Sequence, residues 1–193
     1  MKNINWALLI SGWGRSALKT LELYEEKRLQ NNKISLIICE SSKNGINEIA
    51  NRLGIPVVMI QKGDFERLNE YYTAINTQFQ KHNIDYLFLL GYKHIIKEPL
   101  LSTYNNRIVN IHPSILPSFR GKKAIQQALD YGVKVSGITT HFIDEEVDRG
   151  IILCQRCIKI EDQISFEELD LKFVEEGKLI IEETFQKILK LHE

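Results

Sequence analysis

The sequence predicts an α/β protein with a mainly parallel sheet, and three observations carry the prediction. Short apolar runs alternate with segments of helical periodicity from the start of the chain, as strand-helix-strand units require. The 193 residues are 44% hydrophobic and include only four prolines, which suits one globular domain large enough to bury a core without metal or disulfide staples. Later in the chain two β-rich runs joined by an acidic segment fit an antiparallel edge with flanking helices.

In order, residues 6–10 form the first strand, closed at once by Ser11-Gly12 rather than by a leader cleavage site. Residues 34–39, 56–60 and 86–90 are the next strand candidates, each short, apolar and ended by a turn signal or polar cluster. Between Asp64 and Asn83, Phe65, Leu68, Tyr72, Ile75 and Phe79 recur every three or four positions and give a helix one apolar stripe. Residues 108–111 form a fifth strand, followed by a proline-bearing loop and a short helix over 122–131. The runs 135–143 and 151–160 then pair across the acidic segment, and a last helix from about Ser165 carries Leu169, Phe173, Ile180, Phe185, Ile188 and Leu189.

Twenty-five basic and 25 acidic side chains cancel, so a broad basic field for nucleic acid is excluded and small-molecule partners are expected. No window approaches the length of a membrane helix, and three cysteines, an odd number, suit free thiols in a reducing cytosol. A soluble cytoplasmic protein is expected. An edge strand or an exposed helix could support a homodimer.

Four local signals bear on chemistry. Ser11-Gly12-Trp13-Gly14-Arg15-Ser16-Ala17 follows a strand and opens a helix, so its amides could hold a phosphate. It also admits a dinucleotide reading, with Glu40 on a ribose hydroxyl, or a purely structural turn. Asn110 and His112 lie two apart on a strand and point to one face, and Pro113 and Pro117 restrict the exit that follows. An amide and an imidazole converging at a strand end make an oxyanion and proton-transfer pair. In the acidic segment 144–150 the calcium-loop pattern fails, because Arg149 stands where glycine is needed and Gln155 where the bidentate glutamate belongs. One of its carboxylates could hold His112 protonated, against the plainer reading of a solvated turn. Cys154-Gln155-Arg156-Cys157 lies in a strand-like run whose third-neighbour side chains project oppositely, and His82, His94, His141 and His192 lack metal-ligand spacing. No metal is expected.

Asn110-Ile111-His112-Pro113-Ser114-Ile115-Leu116-Pro117-Ser118-Phe119-Arg120-Gly121, with Gly137-Ile138-Thr139-Thr140-His141-Phe142 and Asp148-Arg149-Gly150, resembles the signature of folate-dependent formyltransferases, most closely those acting on glycinamide ribonucleotide in purine synthesis. The resemblance implies a Rossmann-like formyltransferase fold over residues 1–193, with a half over 1–105 binding the phosphate of the amine substrate and a half over 106–193 carrying the catalytic and folate-binding loops. It places the catalytic asparagine, histidine and aspartate on Asn110, His112 and Asp148. The co-substrate it implies is 10-formyltetrahydrofolate, with no metal. Folate contacts fall on Arg67, on Lys93, His94, Ile95 and Ile96, on Asn110, and on Asp144 across the pterin. Amine-substrate contacts fall on Gly12, Trp13, Gly14, Arg15 and Ser16, and on Glu176 for a ribose hydroxyl. The chain departs from the family in carrying Trp13 and Arg15 in the phosphate loop, which there reads close to G-N-G-S-N. It departs again with Phe173 at a position often polar or basic. Those departures keep a second amine, such as an aminosugar nucleotide, as the alternative acceptor, and a module that binds NAD without transferase activity as the alternative of another class.

Overall fold

Strand β1 (Ile4–Ile10) is buried at every position except Asn5, as befits a strand covered on both faces. It lies within the parallel part of the sheet in the computed structural model, which describes residues 3–192 and leaves Met1, Lys2 and Glu193 outside. Strand β2 (Asn32–Cys39) runs parallel beside it, and β3 (Val57–Met59) runs parallel beside β2. Strand β4 (Tyr86–Leu89) flanks β1 on the other side, also parallel. With β5 (Ile108–His112), β6 (Val135–Phe142) and β7 (Ile152–Lys159) these form one seven-stranded sheet in the order β3-β2-β1-β4-β5-β6-β7. The pairing of β6 with β7 is antiparallel, as the two late β-rich runs predict. The chain divides within β5 into two compact units, the first ending at Val109 and the second beginning at Asn110.

In the first unit the turn after β1 leads into α1 (Arg15–Glu25), and α2 (Asn47–Arg52) leads toward β3. The helix expected from Asp64 begins later: α3 spans Leu68–Lys81 and follows a separate 3₁₀ turn at Lys62–Asp64. Phe65 and Arg67 are extended (φ −123° and −119°) and interrupt the helical path, so Phe65 meets Tyr71 edge-on at 5.7 Å from outside the helix. Tyr72, Ile75 and Phe79 of the predicted stripe are fully buried, Leu68 is half-buried, and Tyr71, outside that spacing, is fully buried as well. A single turn, α4 (Leu100–Thr103), precedes β5. Strand β3 is shorter than the 56–60 run because Pro56 has no N–H for the ladder, although its carbonyl still accepts from Ile37 N at 2.9 Å.

The second unit packs α5 (Ala124–Tyr131) and α6 (Phe166–Lys190) with β6 and β7 around Ala128, Ile138, Ile158, Ile160, Leu169, Phe173 and Ile180. Helix α6 starts where Ser165 and Glu168 cap each other's backbone N–H reciprocally. Gly137 is required where the strands pinch, since a Cβ there would lie 2.0 Å from the Arg156 carbonyl oxygen. Among the described residues no helix is long and apolar enough to cross a membrane.

Candidate active site

Asn110 and His112, in the last residues of β5, lie in the second unit with Asp148, and the structure brings both to it. The His112 Nδ1 lies 3.3 Å from Asp148 Oδ2, with both side chains less than a tenth exposed. Asn110 Nδ2 approaches Asp148 Oδ1 at 3.4 Å, a long bond that leaves the amide free to turn toward a substrate. The second carboxylate oxygen also accepts the Gly121 amide at 2.8 Å. Gly121 has φ +80°, a left-handed conformation that a side chain would resist. Asp148 itself is left-handed at φ 55°, one of the few non-glycine types that tolerate it. Gly150 follows because a Cβ there would strike the Phe142 carbonyl oxygen at 1.8 Å.

The loop after β5 supplies the other support. His112 Nε2 donates to the Phe119 carbonyl at 2.8 Å. That carbonyl is fixed by a loop tied down through Leu116 N donating to Thr139 Oγ1 (3.0 Å), Thr139 Oγ1 donating to the Ser114 carbonyl (2.7 Å) and Gln155 Nε2 donating to the Leu116 carbonyl (2.9 Å). Both ring nitrogens of His112 therefore face acceptors, the Asp148 carboxylate and the Phe119 carbonyl. Burial works against the Asp148 charge, but the His141 hydrogen bond, the Gly121 amide and the two imidazoles outweigh it and hold the carboxyl below its ordinary range. Asp148 is thus a carboxylate at neutral pH.

His141 is the member of this cluster that the sequence did not reveal. It is 1% exposed on β6, its Nδ1 donates to the Phe142 carbonyl at 2.8 Å, and its Nε2 faces Asn110 Nδ2 at 3.2 Å and Asp148 Oδ1 at 3.5 Å. The signal available was the polar run Thr139-Thr140-His141 inside a β-rich segment, and the structure buries all three. Asp144 is exposed, and its carboxylate accepts the Glu146 amide at 2.9 Å. Glu176 is held by Arg156 of β7, which also donates to Glu183 at 2.5 Å. Phe173 belongs to the core, and Lys172 pairs with Glu161 at 3.2 Å. Cys39, Cys154 and Cys157 are free thiols.

In the first unit, Gly14 is left-handed (φ 87°) and precedes α1 without a side-chain cap, so the amides of the first turn carry no such partner. Gly12 is half-buried, and Trp13, Arg15 and Ser16 line the same turn with Trp13 and Arg15 exposed. The segment 91–96 is clamped at several points. Lys93 N donates to Ser11 Oγ at 3.0 Å, Tyr72 OH donates to the Ile95 carbonyl at 2.6 Å, and Tyr92 and Tyr71 share a hydroxyl bond of 2.5 Å. Glu40 closes the clamp, its Oε1 lying 2.6 Å from His94 Nε2 and 3.1 Å from Tyr71 OH. Desolvation pushes the Tyr71 and Tyr92 hydroxyls far above their ordinary range, so both stay neutral donors. Ile95 is exposed, whereas the Ile96 side chain is 4% exposed and part of the core, so Ile96 could meet a ligand only through its backbone. Arg67 is exposed where α3 begins.

Glu40 is therefore committed to His94 and Tyr71, and the dinucleotide reading that placed it on a ribose gains no support. Comparison with known proteins points elsewhere. The model of the family described as "Formyl transferase" matches residues 4–184. The chain is 35% identical over 136 residues, 70% of each chain, to the phosphoribosylglycinamide formyltransferase of Bacillus subtilis. It is 36% identical over 162 residues to the trifunctional purine biosynthetic protein adenosine-3 of Homo sapiens, covering 83% of this chain and 16% of that one. The crystal structure of phosphoribosylglycinamide formyltransferase from Bacillus halodurans superposes with a TM-score of 0.91 at 31% identity, covering 98% of this chain and 97% of the other. On that match, which runs through both compact units and every strand of the sheet, the chain belongs to the formyl transferase family.

Proposed function

We propose that this chain transfers the formyl group of 10-formyltetrahydrofolate to the primary amine of glycinamide ribonucleotide, a step of purine biosynthesis. The observation that carries the reading is the convergence of Asn110 and His112 on the Asp148 carboxylate, three residues at the positions that the resemblance to formyltransferases implies. The names of the relatives favour glycinamide ribonucleotide over an aminosugar nucleotide as the acceptor.

In the reaction the amine lone pair forms a bond to the formyl carbon, and the bond from that carbon to N10 of the folate breaks. The amine loses one proton and N10 gains one. Negative charge develops on the formyl oxygen as the carbon becomes tetrahedral, and a preorganised donor and a positive charge stabilise it. Asn110 supplies the donor, and the His112 imidazolium supplies the charge. Asp148 keeps that ring oriented through the 3.3 Å contact, and its lone pairs can relay the amine proton. His141 fixes Asp148 and Asn110 from the buried side. The phosphate of the acceptor is assigned to the Gly12–Ser16 turn, whose first-turn amides and positive helix end suit an anion. Glu176 is assigned to a ribose hydroxyl, with the Arg156 contact setting its direction. Arg67, exposed at the start of α3, is assigned to the folate tail, Lys93, His94, Ile95 and Ile96 are assigned to the pterin, and Asp144 to its other side. Three free thiols accord with a reducing cytosol.

The test is absorbance-monitored tetrahydrofolate release when the protein meets both substrates. Release that requires glycinamide ribonucleotide, with formylation of its amine seen by mass spectrometry, supports the assignment. Folate binding without release under those conditions contradicts it.

A further inference from the structure

Trp13 is 55% exposed, whereas Trp6, the other tryptophan of the chain, is fully buried. Leaving so large an apolar ring in water forgoes its burial energy, so its placement calls for a reason. The ring is not a loose side chain. A Cβ on Gly45 would lie 2.3 Å from Cη2 and Cζ2 and 2.6 Å from Cε2, which means that the benzo ring rests directly on the Gly45 backbone. The Gly45 amide donates to the Trp13 carbonyl at 2.9 Å, so turn and loop are joined beneath the ring. The loop is itself braced by Asn44 Nδ2 donating to the Ser41 carbonyl at 2.8 Å and by Ile46 N donating to Asn44 Oδ1 at 3.2 Å. On the other side of Trp13 the backbone is fixed by Gly14, whose left-handed conformation packs against Ile10 and Ile46. One indole face is thus covered by backbone and the other is open. The indole N–H has no hydrogen-bond partner among the described residues, which leaves a donor at the edge of the open face.

We propose that Trp13 is a specificity-determining residue, an aromatic wall whose open face stacks on the C–H face of the pentose in the amine substrate. The proposal rests on the functional reading above and extends it to the part of the acceptor that the wall recognises. The pentose is the group bonded directly to the phosphate, and the phosphate is assigned to the amides immediately after Trp13, so the sugar is the part of the acceptor within reach of the indole. A ring already seated on Gly45 loses little freedom when a ligand stacks on it, which is the condition for such a contact to favour binding.

Acrylamide quenching of tryptophan fluorescence reads this directly, because buried Trp6 is shielded from the quencher and Trp13 is not. With calorimetry run in parallel, glycinamide ribonucleotide alone should bind the wild type and reduce the quenching. Trp13→Phe should keep most of the affinity. Trp13→Ser should raise the KM for glycinamide ribonucleotide by about tenfold while the KM for 10-formyltetrahydrofolate stays put. Gly45→Ala, which pushes the ring off its seat, should reproduce the Trp13→Ser loss even though the indole is still present. Calorimetric binding with unchanged quenching overturns the wall and leaves the functional reading standing. Absence of calorimetric binding overturns the choice of acceptor, and the wall with it.

Discussion

Asp148 gathers the Gly121 amide, the Asn110 amide and two imidazoles on one carboxylate while its own backbone is left-handed. A residue held in a costly conformation persists when its surroundings over-determine it, and such residues concentrate at functional sites. Its depressed pKa makes a stability prediction with a definite sign. The native state binds the Asp148 proton less tightly than the unfolded chain, so its contribution is present above the ordinary aspartate value of 3.8 and is lost as pH falls through and below it. Denaturant titrations of the wild type and Asp148→Asn from pH 7 to pH 3 should show a stability gap that narrows below about pH 4. A gap of constant size across that range would assign the low pKa to something other than the native contacts. Asn110 and His112 were legible because strand geometry puts positions two apart on one face and prolines close the exit. His141 was not, because a single histidine in an apolar strand reads most simply as a satisfied core residue, and its site partners Asn110 and Asp148 come from other segments of the chain.

At the scale of elements, the ends of β1, β2 and β4 hold the segment 91–96 through Ser11 and Glu40, with Tyr71 and Tyr72 of α3 as the remaining anchors. If this segment meets the pterin as proposed, Glu40→Ala should raise the KM for 10-formyltetrahydrofolate by about tenfold, with the KM for glycinamide ribonucleotide unaffected. Steady-state kinetics in each substrate separately make the check, and an equal rise in both constants would mean that Glu40 only supports the fold. Strand alternation, the α3 stripe and the antiparallel pairing of β6 with β7 could be read from periodicity. The start of α3 could not, since Phe65 continues the helical spacing although its backbone is extended, and a side chain's apolar character does not report its φ. The short helices α2 and α4 span too few residues to show a period. Ile96 is a core residue by burial, so the folate contact that its position in the motif implies falls to its backbone.

Over the whole molecule, one sheet order carries both compact units, and the superposition on a relative at 31% identity spans nearly all of both chains. The fold could be read in the sequence because each level agreed, from apolar runs to helical stripes to turn residues. The choice of acceptor was harder to read, because Trp13 and Arg15 replace the familiar phosphate loop and a side chain's contact with a ligand leaves no periodic trace. The central claim is that formyl transfer takes place at the Asn110, His112 and Asp148 cluster. The most direct measurement is the kcat of Asp148→Asn with both substrates saturating, alongside circular dichroism to verify the fold. A loss of about 10²-fold to 10⁴-fold in kcat with the spectrum intact is the predicted result. Wild-type turnover by that variant would contradict the account.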